Sequence, residues 1–177
     1  MSIRSFEGVQ PEIAEDAYID EAAVVIGNVH IQSGSSLWPM VVVRGDVNHI
    51  YIGENTNLQD GTIVHANHDG PYTPGGDATT IGNGVVVGHQ AMIHACTIQD
   101  NVLIGMSAIV LDGAIIKPEV MVAAGSLVPP GKVLESGYLY KGSPVKQIRL
   151  LEKKEIARIY YSATYYRSLA KRHGAVT

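Results

Sequence analysis

Three histidines are the residues of this sequence best suited to chemistry. Two lie five residues apart in the apolar stretch VVVGHQAMIHAC (residues 85–96), and a third, His65, follows Ile63 and Val64. Neutral imidazoles are common metal ligands, and three of them leave a coordination position open for water. However, a helix aligns residues three or four apart, and a simple strand aligns residues an even number apart. A spacing of five fits neither, so the backbone that carries His89 and His94 must be identified first.

The composition excludes several functions. The chain has 177 residues, is 46% hydrophobic and has a mean hydropathy of +0.10, which predicts one soluble domain with a sizeable core. A net charge of -4 and a pI of 5.9 give no basic field for nucleic acid, and no polybasic segment favours a membrane surface. No secretory signal and no run of ~18 apolar residues is present, so we predict a cytoplasmic protein. The single cysteine, Cys96, excludes an internal disulfide and an all-cysteine zinc site within one chain.

An internal repeat decides the predicted fold. Aliphatic residues recur at every sixth position, often followed by glycine, as in IGENTN and VGHQAM. A period of six suits a solenoid in which each hexad forms one flat side, three sides close a coil of 18 residues, and each repeated aliphatic points inward. The glycines are interpreted as sharp turns with backbone angles closed to other residues. The eighteen repeated positions are Ile13, Ile19, Val25, Ile31, Leu37, Val43, Ile52, Leu58, Val64, Ile81, Val87, Ile93, Ile98, Ile104, Val110, Ile116, Val122 and Val128.

The repeat is interrupted twice. Three extra residues separate Val43 from Ile52, and 11 extra residues separate Val64 from Ile81. The second insertion contains NHDGPYTPGGDA, whose glycine, proline, asparagine and aspartate content predicts a surface loop at about residues 67–78.

The C-terminal part has a different pattern. After Pro144 the hexads stop, and apolar residues follow at helical spacing. Ser143 and Pro144 are suited to opening helical structure, and Gly174 to closing it. We therefore predict a β-helix domain over residues 1–143 and a helical segment over residues 144–177. This segment consists of one or two helices that pack along the solenoid or along a neighbouring subunit.

The coil length brings two of the histidines together. His65 and His94 are 29 residues apart, and subtracting the 11-residue insertion leaves 18, which is one full coil. Each follows an inward aliphatic residue, so both should point outward from one face, about 4.8 Å apart along the backbone. Two ligands of one metal ion can lie at this separation. His89 belongs to another side of the triangle, but if three prisms pack side by side, His89 of one meets His65 and His94 of the next.

Long segments of the sequence resemble the γ-class carbonic anhydrase family, including its bacterial γ-carbonic-anhydrase-like members. They are VVVRGDVNHIYIGENTNLQDGTIVH, VGHQAMIHACTIQDNVLIGMSAIVLDGA and AGSLVPPGKVLESGYLYKGSPVKQIR, and the resemblance spans roughly residues 9–170. It implies an all-β solenoid, a left-handed parallel β-helix of hexapeptide repeats with a C-terminal α-helix. The hand rests on the resemblance, since the general rule for crossovers favours the opposite hand. It also implies a homotrimer in which His65 and His94, with His89 supplied across the interface, hold zinc, iron or cobalt.

This resemblance implies a reaction as well. Zinc lowers the pKa of a bound water to ~7, a value that belongs to carbonic anhydrases as a class and is carried over to this chain. The metal-bound hydroxide then attacks CO2 to give bicarbonate. The implied partners are therefore CO2 and bicarbonate, with no nucleic acid and no membrane.

Further residues take roles from the same resemblance. It implies that Arg44, Asp46 and Asp60 form ion pairs at the subunit interface, for which subunit packing without chemistry is the alternative. Gln59 hydrogen-bonds the metal-bound water or hydroxide. Tyr166, in SATYYRSLA, reaches the site from the C-terminal helix, and its alternative is a place in the core.

One departure from the family pattern concerns proton transfer. Active members carry a glutamate directly after the aspartate of the Arg-x-Asp motif and another in an acidic loop, whereas this chain has Val47 at the first position. The loop after His65 offers His68, Asp69 and Asp77 but no glutamate. Because imidazole titrates near neutral pH, we predict His68 as a proton shuttle, with an exposed loop histidine as the alternative.

Three classes of function remain open. The first is a metal-dependent carbonic anhydrase. The second is a hexapeptide-repeat acyltransferase, or a related metal hydrolase acting on thioesters. The third is a metal-carrying or assembly subunit with little turnover, which the missing glutamates favour.

Overall fold

The computed structural model describes residues 2–174, which form short strands followed by one helix, α1, at Lys153–Gly174. The strands, β1 to β20 in chain order, are Ser2–Arg4, Glu12–Ile13, Tyr18–Ile19, Val24–Ile31, Ser36–Leu37, Val42–Ile52, Asn57–Leu58, Ile63–His65, Thr79–Ile81, Val86–Val87, Met92–His94, Thr97–Ile98, Leu103–Ile104, Ile109–Val110, Ile115–Ile116, Met121–Val122, Leu127–Val128, Val133–Leu134, Tyr138–Gly142 and Val145–Leu150.

The strands stack into the three faces of a left-handed parallel β-helix, which confirms the predicted fold class. The histidine face contains β1, β8, β11, β14 and β17 with the first halves of β4 and β6. The second face contains β2, β9, β12, β15 and β18 with the remaining halves of β4 and β6. The helix face contains β3, β5, β7, β10, β13, β16 and β19.

The repeated aliphatic residues fill the shaft of the solenoid. On the histidine face, Val64 of one coil lies between Val43 and Ile93 of its neighbours, and all three are fully buried. Sixteen of the eighteen predicted inward positions are buried, whereas Ile13 and Ile19, near the N-terminal end, are partly buried. Stacking each aliphatic residue on the next removes apolar area from water at every coil, which stabilises the fold.

The glycines after the aliphatic residues do not all have the predicted role. Gly27 has a positive φ, but Gly53 and Gly88 do not. At these two sites the neighbouring coil is too close for a side chain, because a Cβ on Gly53 would lie 2.6 Å from the carbonyl carbon of Gly82. One on Gly88 would lie 2.7 Å from the backbone nitrogen of Met106. These glycines therefore permit close approach of coils rather than unusual backbone angles.

The C-terminal part begins differently from the prediction. Residues 145–150 form β20, which pairs antiparallel with β19, so the helix starts at Lys153 rather than at Pro144. An unpaired edge of β19 favours a partner strand more strongly than Pro144 favours a helix start. One helix is present; it contacts β3, β5, β7 and β10, and it buries Ile159, Ala163 and Ala170. Residues 175–177 of the predicted segment lie outside the described residues. Within residues 2–174, no helix is both long and apolar enough to cross a membrane.

Candidate metal centre

His65 and His94 end two neighbouring strands of the histidine face. They are register partners of β8 and β11, so their predicted one-coil stacking is confirmed. Nδ1 of His65 lies 3.2 Å from Nε2 of His94, and the ring centroids are 5.3 Å apart. The inward neighbours Val64 and Ile93 anchor the two strands, which holds both imidazoles on the outer surface of the same face.

A carboxylate holds the other nitrogen of each ring. Nε2 of His65 lies 3.0 Å from Oδ1 of Asp46, and Nδ1 of His94 lies 2.5 Å from Oδ1 of Asp112. Because an ionised carboxylate only accepts hydrogen bonds, each ring donates its proton to its carboxylate. The two nitrogens that face each other therefore both present lone pairs.

This arrangement fits a metal ion. Two lone pairs 3.2 Å apart repel each other, and a cation between them removes the repulsion. A tetrahedral ion with metal–nitrogen distances of ~2.1 Å separates two ligand nitrogens by ~3.4 Å, close to the distance found here. Imidazole nitrogen is a good ligand for zinc, iron and other first-row metals. The donor set thus fits the metals expected from the sequence.

The charges around this histidine pair keep its groups in the required states. Burial lowers the pKa of His65, and the hydrogen bond to Asp46 only partly opposes this, so the ring is neutral near pH 7. Burial alone would raise the pKa of the Asp46 carboxyl, but the hydrogen bonds from Arg44 and His65 outweigh it and lower that pKa. Arg44 Nη1 donates to Asp46 at 2.6 Å, so the predicted Arg44–Asp46 ion pair forms within one chain.

His89 lies at the corner between the helix face and the histidine face. Its Nδ1 donates to Oδ2 of Asp60 at 2.8 Å, one coil away, which leaves Nε2 with a lone pair. The side chain of His89 is 44% exposed and does not join His65 and His94. Among residues 2–174, no group of three or more histidine, cysteine, aspartate or glutamate side chains of one chain is arranged to hold a metal ion. A third histidine ligand must therefore come from a second chain.

Two predicted catalytic residues share a cavity with His89. Gln59 and Tyr166 line this cavity of about 260 Å³ together with Arg158 and Ser162 of α1. Gln59 is buried, and its Nε2 donates to Asn57 Oδ1 at 3.1 Å, which fixes its amide. Burial, with a smaller effect of Asp60, raises the pKa of Tyr166, so its hydroxyl is a hydrogen-bond donor at neutral pH and not a base.

The loop after β8 carries the predicted shuttle His68. His68 is exposed, and its ring lies against Gly70. The preceding residue, Asn67, donates from Nδ2 to Oδ1 of Asp112 at 3.1 Å, so the loop reaches the carboxylate that holds His94. Val47, at the position of the missing glutamate, is 41% exposed beside Asp46.

Sequence reasoning missed Asp112 and Asn67. Asp112 follows His94 by 18 residues, the coil length that aligned His65 with His94, so the same arithmetic contained a signal for it. Asp46 and Asp60 were predicted as interfacial charges, and their contacts to His65 and His89 were missed as well.

Similar proteins were found by sequence and by structure. No family model matches the chain. The chain is 51% identical over 164 residues to Protein YrdA of Escherichia coli, which covers 93% of this chain and 89% of YrdA. It is 43% identical over 168 residues to the mitochondrial gamma carbonic anhydrase 1 of Arabidopsis thaliana, covering 93% of this chain and 60% of that protein.

Two crystal structures resemble the whole chain. A hexapeptide transferase family protein from Anaplasma phagocytophilum has a TM-score of 0.89 at 39% identity and covers 96% of each chain. A candidate acetyltransferase from Bacillus cereus has a TM-score of 0.90 at 33% identity and covers 99% of this chain and 98% of that one.

The fold and these likenesses define a protein of the hexapeptide-repeat β-helix class. Within that class, the chain belongs to the family that contains YrdA, and the plant gamma carbonic anhydrases are homologues.

Proposed function

We propose that this protein is a metal-dependent carbonic-anhydrase-like enzyme that interconverts CO2 and bicarbonate at sites shared between subunits of a homotrimer. The observation that carries the proposal is the pair of lone-pair nitrogens on His65 and His94, 3.2 Å apart, with both remaining ring nitrogens held by carboxylates. The homology to a plant gamma carbonic anhydrase supports the same reaction.

His65 and His94 of one chain and His89 of a second chain would hold the metal ion. A bound zinc, iron or cobalt ion would supply a Lewis acid that makes water nucleophilic near neutral pH. Asp46, Asp112 and Asp60 fix which nitrogen each histidine presents, and such carboxylate partners also raise the basicity of the ligand.

The cavity beside His89 would receive the substrate. Gln59, with its amide fixed by Asn57, is placed to hydrogen-bond an oxygen of CO2 or of the attacking water. Tyr166 donates a hydrogen bond and does not take up a proton. The proton released on hydration would leave through His68, since Val47 cannot carry it.

Exposed apolar side chains support packing against a second chain. Ile63 and Ile109 project from the histidine face, and Met40 and Met106 lie at the corner that carries His89. Packing a second copy there removes these side chains from water, and a closed threefold ring repeats the contact three times. The partners' His89 residues would then complete three equivalent sites.

Mixed trimers test the shared site. His89→Ala and His94→Ala chains, each expressed alone, should lack bound metal and CO2 hydration. If the two chains are co-expressed in equal amounts, an interface can combine His94 of one variant with His89 of the other. Random assembly then restores about a quarter of the sites. Metal analysis and stopped-flow CO2 hydration of the purified mixture measure this recovery.

Two results would contradict the shared site. One is a mixture without recovery although each variant alone forms trimers. The other is a wild-type protein that sediments as a monomer and still binds metal tightly. A His49→Ala chain, changed at an exposed histidine outside the site, serves as the control.

Thioester hydrolysis or acyl transfer is the second candidate. The cavity of about 260 Å³ beside His89 has room for more than CO2, and two similar structures are named as a transferase family protein and a candidate acetyltransferase. Thioesterase and acetyl-transfer assays on the same metal-loaded preparation separate the reactions. Thioester cleavage without CO2 hydration would favour this candidate, and metal binding without either activity would favour an assembly subunit.

A further inference from the structure

The Asp112 carboxylate lies at the corner after β14, one coil beyond His94. In the part of the chain that the structure describes, its Oδ1 accepts two side-chain hydrogen bonds. One comes from Nδ1 of His94 at 2.5 Å and the other from Nδ2 of Asn67 at 3.1 Å. All side-chain hydrogen bonds of Asp112 therefore involve His94 or the residue that approaches the carboxylate from the loop.

Asn67 is itself held by several contacts at the base of the loop. Its backbone N–H donates to the carbonyl of Asp77 at 2.9 Å, and its carbonyl accepts from Nδ2 of Asn48 at 3.3 Å. Gly76 packs against the same carbonyl, because a Cβ there would lie 2.7 Å from the Asn67 oxygen. The two ends of the loop are thereby joined, and the Asn67 amide is directed at Asp112.

We infer that Asp112 is the positioning residue of His94 and that Asn67 positions Asp112. This inference rests on the proposed function, since it concerns the ligand that His94 would provide. By accepting a hydrogen bond from Nδ1, the carboxylate keeps the proton of the neutral ring on that nitrogen and leaves the Nε2 lone pair directed at His65. The insertion between β8 and β9 therefore reaches the metal centre through one amide and one carboxylate.

The tautomer of His94 provides a direct test that needs no metal. In the full-length protein freed of metal with a chelator, 15N NMR of the His94 ring at a pH where it is neutral should show the proton on Nδ1. Asp112→Ala should lose this preference, because the ring then has no carboxylate to fix its proton. Asp112→Asn keeps the shape of the side chain and should show a mixture, since an amide can accept or donate.

Metal affinity provides the second readout. Asp112→Asn should weaken zinc binding by about 10–100-fold in chelator competition, the usual effect of removing a partner of a ligand histidine. Asn67→Ala should weaken it less, by up to about tenfold. Asp100→Asn is the matched control. Its carboxylate accepts a backbone N–H from Asn83 at 2.7 Å on another coil, so it loses a similar contact between coils without touching a histidine.

The outcomes separate this inference from the proposed function. If Asp112→Ala keeps the Nδ1 proton on His94 and binds zinc like the wild type, Asp112 has no positioning role. If Asp100→Asn weakens zinc binding as much as Asp112→Asn, the effect is general loosening of the solenoid and the inference is wrong. If the wild type binds no metal while the tautomer depends on Asp112, the proposed function fails and the positioning role stands.

Discussion

Nδ1 of His65 lies 3.2 Å from Nε2 of His94, although the two residues are 29 apart in the sequence. The parallel register of β8 and β11 explains the closeness, since it aligns the last residues of the two strands. The orientation has a separate cause, because Asp46 and Asp112 hold the outer nitrogens of the rings. The solenoid thus places the side chains, and the carboxylates select the nitrogen that each presents.

The first prediction concerns the residue beneath His94. Ile93 and Ile116 are both fully buried, the first on the histidine face and the second on the second face. Ile93→Ala and Ile116→Ala should each lower the free energy of unfolding by about 2–5 kcal/mol, because each leaves a cavity in the shaft. Chemical denaturation measures this loss.

Only the Ile93 change should affect the metal site. Relaxation of β11 into the cavity moves His94 relative to His65, so we expect weaker zinc binding for Ile93→Ala than for Ile116→Ala. Chelator competition measures the difference. Equal zinc affinities for the two variants would show that the imidazole is held without the support of the core.

The second prediction concerns Tyr166. Its ring packs edge-on against Trp38, with centroids 5.6 Å apart, and its raised pKa keeps the hydroxyl protonated over the neutral pH range. Tyr166→Phe keeps the packing and removes the donor. We expect an unchanged melting temperature, turnover reduced by about tenfold, as for one lost hydrogen bond worth ~1.4 kcal/mol in the transition state, and an unchanged pH profile. Unchanged turnover would assign Tyr166 to packing alone.

The sequence was sufficient to predict the fold because each hexad buries one aliphatic residue. Val64 and Ile93 illustrate this, since both the period and the length of the insertion follow from their positions. The strand β20 was not predictable in the same way. Its residues carry no hexad, and its pairing depends on the free edge of β19, which exists only after the solenoid has formed.

The candidate site was predictable in its register but not in its orientations. Counting residues stacks His65 on His94, yet it does not tell which ring nitrogen faces inward, because a side-chain rotation changes that without changing the register. The same count would have aligned Asp112 with His94. It could not have identified Asn67, since the path of an inserted loop does not follow the coil period.

The third prediction concerns the start of α1. Arg149 donates to the Glu155 carboxylate at 2.7 and 2.9 Å, and the backbone N–H of Glu152 donates to it at 2.8 Å. These contacts, the Arg149 bonds most of all, lower the pKa of Glu155 from 4.5 to about 2. Because the carboxyl is more acidic in the folded state, its contribution to stability is present above pH 4.5 and is lost as the pH falls towards 2.

Thermal melts of Glu155→Gln at several pH values test this linkage. The variant should melt below the wild type at pH 7, and the difference should shrink between pH 4.5 and pH 2. Glu54→Gln is the control, since Glu54 is exposed and forms no ion pair within residues 2–174. A difference that is the same at pH 7 and pH 2 would mean that Glu155 acts without its charge.

The last prediction concerns proton export through His68. His68 is exposed on the loop, one residue after Asn67, and its ring lies against Gly70, so it can exchange protons with buffer. His68→Ala should keep the wild-type metal content, because the side chain is not among the proposed ligands. Its CO2 hydration in dilute buffer should fall by about tenfold or more, and added imidazole should restore the rate, since a soluble base replaces the missing one. His49→Ala, at another exposed histidine, should behave like the wild type. If His68→Ala leaves both the turnover and its dependence on buffer unchanged, the proton leaves by another route and His68 is an ordinary loop residue.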